Sequence, residues 1–225
     1  MKKLKQIVGV TALMSALAIS AGALGQTSPA YSGGTPVYAA FTDPQNVEND
    51  LNRIDAALNS ITDFEGRFTQ YSPDGRVDTG IIYLSRPGRM RFEYDDPNPL
   101  LVVSDGVTLV QHDKALEMSD RVPLSSTPLN FFLKENVQLA RDTEVVGLTK
   151  SAQEIRVTAR DGSGEMDGVI SMIFDPVTLA FQAWIIGDSF GGETRIVLSD
   201  LSYNGNINPR LFIHDDDNRR DRRRR

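Results

Sequence analysis

From Val47 onward the apolar residues recur at alternating steps of four and three. Val47, Leu51, Ile54, Leu58 and Ile61 fall on one face of a helix of about four turns. Asp43 can cap this helix, and Pro44 suits its first position because the missing N–H has no partner there. At Asp63 the period changes to two. Phe64, Gly66 and Phe68 alternate with Glu65, Arg67 and Thr69, and a Ser72-Pro73-Asp74-Gly75 turn leads to a second run, Val77–Ser85. Met90, Phe92 and Tyr94 share one face of a third run, with Arg89, Arg91 and Glu93 on the other. After a Pro-rich turn, Leu100–Ser104 and Thr108–His112 pair around Asp105-Gly106, a strong hairpin signal. Ala115–Ser119 reads as a sixth run.

The pattern then breaks. Thr127-Pro128 caps a short predicted helix, Leu129–Lys134, with Leu129, Phe132 and Leu133 on one side. Strand signals resume at Thr143–Leu148, Glu154–Arg160, Gly168–Phe174, Ala180–Ile186 and Glu193–Tyr203. About eleven short, evenly spaced strands predict an antiparallel meander or barrel. Gly168–Phe174 and Ala180–Ile186 are apolar on both faces, which a single solvated face does not explain and which implies local packing at one side of the barrel.

The N-terminus changes the picture of destination. Lys2, Lys3 and Lys5 precede an apolar stretch, Val8–Leu17, about half as long as the ~20 residues a membrane span needs. Small residues follow, so residues 1–25 read as a signal peptide cleaved after Gly25, with Ala23 as second choice. Residues 26–42 read as a flexible leader, and 43–213 as one exported, soluble domain. There is no cysteine. The fold must therefore stand without disulfides, and the chain cannot be lipidated on a cysteine after its signal segment. Residues 41–213 carry 15 Lys and Arg against 26 Asp and Glu. So acidic a body argues against nucleic acid as partner. Residues 214–225, HDDDNRRDRRRR, cannot build a core and are expected to be a disordered tail, either solubilising or, through its six arginines, drawn to nucleic acid or anionic lipid headgroups.

Few residues offer catalytic chemistry. Gly187-Asp188-Ser189-Phe190-Gly191 matches the nucleophile-elbow pattern, but it falls between two predicted strands, whereas that motif needs a strand-to-helix turn and a histidine base. Only His112 and His214 exist. Asp215-Asp216-Asp217 lacks the ligand spacing of a calcium loop, and Asp95-Asp96 reads as a surface turn. We therefore expect no enzyme, no cofactor and no metal. Arg86 is more informative. It precedes Pro87 at the end of the second run, where its guanidinium could fork onto the C-terminal carbonyls of a covering helix or simply face water.

Taken together, Phe68-Thr69-Gln70, Arg86-Pro87-Gly88, Met90-Arg91-Phe92-Glu93-Tyr94, Val103-Ser104-Asp105-Gly106 and Pro123-Leu124 with Thr127-Pro128-Leu129 resemble the periplasmic outer-membrane lipoprotein carrier family, LolA. The order and spacing match from Asn46 to Leu133 and stay compatible to Tyr203. The resemblance implies an incomplete antiparallel barrel of eleven strands, mainly β, with short helices as a lid over a hydrophobic cavity. It also implies a monomeric shuttle for acylated lipoproteins. Such a carrier takes cargo from an inner-membrane ATP-driven release complex and passes it to an outer-membrane acceptor lipoprotein.

In that family the arginine of the Arg-Pro motif holds the lid closed, and Arg86 matches it. Met90 matches a residue near the mouth and Phe92 a large cavity residue. The expected lining is Phe68, Tyr83, Met90, Phe92, Tyr94 and Trp184, with Leu51, Ile54, Leu58, Leu129 and Phe132 from the lid. The family usually ends in a further strand and compact loop, whereas here Leu211-Phe212-Ile213 leads into the Asp/Arg tail. The alternative of another class is a periplasmic lipid- or lipoprotein-sensing regulatory module of the same half-barrel shape. A serine hydrolase acting through Ser189 is the third.

Overall fold

A computed structural model describes residues 44–163, 168–188, 191–203 and 205–214. The signal segment, the leader, Asp43, Ser189 and the Asp215–Arg225 tail lie outside the described residues.

Helix α1 spans Pro44–Asn59, with Leu51, Ile54 and Leu58 buried in the core and Val47 and Ile61 partly buried against it. Six strands follow: β1 (Asp63–Tyr71), β2 (Val77–Ser85), β3 (Arg89–Tyr94), β4 (Leu100–Asp105), β5 (Thr108–Asp113) and β6 (Met118–Pro123). A 3-10 turn at Leu124–Ser126 leads to α2 (Asn130–Leu133) and α3 (Leu139–Asp142). The second set is β7 (Glu144–Lys150), β8 (Ile155–Arg160), β9 (Val169–Phe174), β10 (Phe181–Gly187) and β11 (Glu193–Tyr203), closed by a 3-10 turn at Pro209–Phe212.

All eleven strands form one antiparallel sheet in the order β6-β5-β4-β3-β2-β1-β11-β10-β9-β8-β7. Two meanders are thus joined where β1 pairs with β11, and β6 and β7 are the two edges. The barrel stays open between those edges, and the chain crosses from one to the other through α2 and α3. Here α3 packs on β7 and α1 packs on α3. The expectation of a half-open, mainly β barrel with short helices holds.

Two elements differ from the sequence reading. The sixth strand is Met118–Pro123, not Ala115–Ser119, because the Asp113 carboxylate accepts from Ala115 N and Leu116 N (2.8 and 2.9 Å) and makes that stretch a turn. The helix predicted over Leu129–Lys134 is the single turn Asn130–Leu133. Thr127 does not cap it. Its hydroxyl donates to Leu124 O (2.8 Å) and closes the preceding 3-10 turn instead.

The core lies on the inner face of the sheet, under the helices. The doubly apolar strands have separate covers. Ile173, Ala183 and Ile185 form a small outer cluster with Val197, which accounts for the apolar outer face of β9 and β10. Leu101, Val103 and Val110 are likewise buried on the outer side, where the Pro209–Phe212 turn lies against β3 and β4. Phe212 is buried with the Arg89 guanidinium 5.7 Å from its ring, and Arg91 Nη1 donates to Leu211 O (3.0 Å). His214, assigned from sequence to the tail, is buried with its ring 4.7 Å from that of His112.

Candidate functional site

The inner face of β1, β2 and β3 is set by strict alternation. Phe68, Gly80 and Tyr94 lie in one row across the three strands, as do Gly66, Ile82 and Phe92, and then Phe64, Leu84 and Met90. Gly80 makes the floor possible. A Cβ there would stand 2.1 Å from Glu93 O and 2.5 Å from the Phe68 ring, so only glycine lets that ring lie across β2. The Phe68 ring then meets Phe92 and Tyr94 edge-on at 4.8 and 5.0 Å. Phe92 continues to Trp184 (5.9 Å), and Trp184 to Phe132 of α2 (5.4 Å) and Phe181 (5.9 Å). The result is a continuous aromatic path from β1 to the lid.

One polar pair is built into this interior. Tyr94 Oη donates to Gln70 Oε1 (2.5 Å), and Gln70 Nε2 donates to Ser72 Oγ (3.1 Å). Burial, with Asp78 nearby, pushes the Tyr94 phenol well above its usual range, so it acts as a fixed neutral donor.

The Arg86-Pro87-Gly88 corner joins the sheet to the lid. Arg86 Nη1 donates to Leu58 O in the last turn of α1 (2.6 Å), and Arg86 N donates to Thr62 O (2.8 Å). Burial pulls the Arg86 guanidinium down to about 10, which still leaves it charged at neutral pH beside the negative end of the α1 dipole. Gly88 N donates to Leu133 O (2.8 Å), so the same corner grips α2. The Ser104-Asp105-Gly106 hairpin supports the corner from behind. Ser104 Oγ donates to Gly88 O (2.7 Å), and a Cβ on Gly88 (φ +72°) would stand 2.6 Å from Gly106 Cα. Asp105 in turn accepts from Val107 N and Thr108 N, and Leu124 N donates to Val107 O, all three at 2.8 Å. Motifs far apart in the sequence therefore meet at one corner.

The lid is tied within itself. Asn59 Nδ2 donates to Val137 O (2.9 Å) while its Oδ1 accepts from Val137 N (2.8 Å), and Asp55 accepts from Leu139 N (3.1 Å). Burial, with Asp142 nearby, pushes the Asp55 carboxyl up, although the Leu139 N–H opposes the shift. Lys150 Nζ, 2.7 Å from Asp50, pins α1 to β7. Asn59→Ala is expected to cost about 1–3 kcal/mol, because it strands the backbone groups of the fully buried Val137. Urea unfolding measures this. A loss below ~0.5 kcal/mol would show that the tie contributes nothing.

Of the residues expected at the site, Phe68, Met90, Phe92, Tyr94 and Trp184 share one buried cluster with Leu51, Ile54, Leu58, Leu129 and Phe132. Tyr83 does not join them. It pairs with Glu65 and Arg91 on the outer face, half-buried, one register step from Ile82 and Leu84, which do face inward. Sequence reasoning missed Phe174 and Phe181, whose rings pack 5.4 Å apart. Phe181 and Trp184 are three apart, which in a regular strand puts them on opposite faces. A bulge between Phe181 and Ala183 turns both inward.

The G-x-S-x-G segment joins β10 to β11, with Asp188 N donating to Gly192 O (2.9 Å). That is a link between antiparallel strands and lacks the helix a nucleophile elbow requires. Among the described residues, no group of three or more His, Asp and Glu side chains is placed to hold a metal ion.

The family model described as outer membrane lipoprotein carrier protein LolA matches residues 59–215. An outer-membrane lipoprotein carrier protein from Azotobacter vinelandii is 24% identical over 188 residues, 77% of this chain and 87% of the relative. One of the same description from Chromohalobacter salexigens is 28% identical over 175 residues, 71% of this chain and 80% of the relative. Among solved structures, a DUF1329 family protein from Desulfovibrio piger has a TM-score of 0.49 at 14% identity, covering 78% of this chain and 99% of that one.

Proposed function

The chain belongs to the LolA family of outer membrane lipoprotein carrier proteins, whose carriers are binding proteins and not enzymes, and on that premise we propose that it binds the acyl chains of lipoproteins and carries them across the periplasm from the inner to the outer membrane. Its partners on this reading are acylated lipoproteins as cargo, an inner-membrane ATP-driven release complex as donor and an outer-membrane lipoprotein as acceptor. The N-terminal segment serves export and is removed.

The observation that carries the reading is the lid. Leu51, Ile54, Leu58, Leu129 and Phe132 cover an aromatic inner face and are fastened through Arg86 to a backbone carbonyl of α1. Acyl chains need such a surface, since each buried CH₂ contributes ~0.8 kcal/mol. Full burial of three chains would bind almost irreversibly. Here the lid's own side chains lie against the surface that cargo would cover, so lid and cargo compete. Stabilising the closed state lowers the apparent affinity and aids release. Arg86 is the latch on this reading, and Phe68, Met90, Phe92, Tyr94 and Trp184 form the lining.

The test is mass spectrometry of the protein purified from the periplasm without detergent. Co-purifying acylated proteins are the expected result. A protein that comes through empty, even with the Arg86→Leu change, would overturn the carrier reading.

A further inference from the structure

Among the described residues, most buried polar side chains of the interior are satisfied, and the few buried atoms without a partner belong to three arginines and to Trp184. Tyr94, Gln70, Ser104 and Thr127 are all buried, and each has a hydrogen-bond partner. Trp184 is fully buried, and its Nε1 has no partner among the described residues. An indole has a single donor and no acceptor, so this side chain is left wholly unsatisfied. Arg86 Nε is also unpaired, but its guanidinium bonds elsewhere through Nη1. Aromatic rings surround the indole. Phe181 is stacked on it, Phe92 stands edge-on and Phe132 of the lid is tilted against it, and ring faces are at best weak acceptors. A buried donor without a partner is a cost that a phenylalanine in the same place would avoid.

The position of the indole bears on what it could bind. It touches Phe132 of α2, so it lies directly beneath a lid side chain that lid opening would lift away. The first polar atom of an acyl chain is its carbonyl oxygen, at the end of the chain where burial begins. We propose that the Trp184 indole N–H is the donor for the acyl carbonyl oxygen of a bound chain, fixing how deep the chain sits. This rests on the acyl-binding reading above. The closed protein keeps the donor unsatisfied, and cargo satisfies it.

The test compares 1-palmitoylglycerol, which has an ester carbonyl, with its ether analogue 1-O-hexadecylglycerol, which does not. N-palmitoylethanolamine supplies an amide carbonyl. The full chain is expected to bind the ester or the amide about five- to tenfold more tightly than the ether. Trp184→Phe is expected to bind all three at the affinity the wild type shows for the ether. The sequence contains one tryptophan, so its indole N–H signal in a ¹⁵N-labelled sample needs no assignment by mutation. That signal should move downfield with either carbonyl ligand and not with the ether, an outcome that does not depend on the variant folding.

Equal affinity for all three ligands in the wild type, or a preference that survives in Trp184→Phe, would overturn the proposal and leave acyl binding intact. Binding of none of them would overturn both. Whichever carbonyl is preferred identifies the acyl linkage that the indole reads.

Discussion

Arg86→Leu is expected to hold acylated cargo roughly 10- to 100-fold more tightly than the wild type and to release it correspondingly slowly. The argument begins with a single contact, Arg86 Nη1 on Leu58 O at 2.6 Å. A hydrogen bond to a charged group is worth about 1.5–3 kcal/mol, which in a closed–open equilibrium becomes that range of apparent affinity. The fold itself should tolerate the change. Leu58 O also accepts from Ile61 N (3.1 Å), so its carbonyl is not stranded, and leucine removes a guanidinium that was costly to bury. Burial lowers the Arg86 pKa to about 10, so the group stays charged through neutral pH. The contact is therefore present below that value and lost as pH rises through it. Release is expected to be flat in pH near neutrality and to slow only on approach to about pH 10. Transfer of a labelled lipoprotein from the loaded variant to outer-membrane vesicles measures the rate. Transfer at the wild-type rate would mean that Arg86 is not what keeps the lid down.

Phe212→Ala is expected to destabilise the protein by about 3–5 kcal/mol, the cost of deleting a buried phenylalanine ring. For a chain of this size that is a fall in Tm of roughly 10 °C. Phe212 comes from a short turn after the last strand, on the side of the sheet away from the lid. It is nevertheless buried against β3 and β4, under the Arg89 guanidinium, while Arg91 fixes the adjacent Leu211 carbonyl. β3 carries Met90 and Phe92 on its other face, so this turn braces the floor of the site from behind. Phe212→Leu should cost less than ~1.5 kcal/mol, because it largely preserves volume. Thermal unfolding of the two variants gives the comparison. A loss under ~0.5 kcal/mol for Phe212→Ala would show that the turn does not hold the strands.

These two residues mark where sequence reasoning reached and where it stopped. Arg86 was legible because it sits in a compact motif, Arg-Pro-Gly at a strand end. Its partner was legible only as a class, the last carbonyls of a covering helix. That the acceptor is Leu58 O, and that Gly88 grips Leu133 O from the same corner, depends on how two helices 70 or so residues apart in the chain settle over the sheet. Phe212 was not legible. An isolated apolar triplet after the last strand has no periodicity to exploit, and its burial follows from its seat on the outer face of β3 and β4, which local pattern could not distinguish from ordinary strand surface.

Period alone placed α1, its buried face and nearly all the strands, because alternation in a half-buried strand and the four-three stride of a half-buried helix are written directly in residue order. It also placed Met90, Phe92 and Tyr94 on one face of β3, while Phe68 was set beside them only by the family resemblance, and the pairing of β1, β2 and β3 brings the four together. Tertiary structure decided the rest. Tyr83 went outward because the pairing of β2 put Ile82 and Leu84 inward, and in a strand a single step exchanges faces. Phe181 joined Trp184 inside because a bulge added one residue to β10. The turn at Asp113 moved β6 by three residues at its start, because a carboxylate closed backbone donors that alternation had assigned to a strand. The lid became one unit because Asn59 and Asp55 reach backbone groups of residues 137–139, about eighty positions away. Residue order states which side chains need burial. Which of them meet, and which polar group is left without a partner beneath the lid, is settled only when the two meanders join through β1 and β11 and the helices close over the opening.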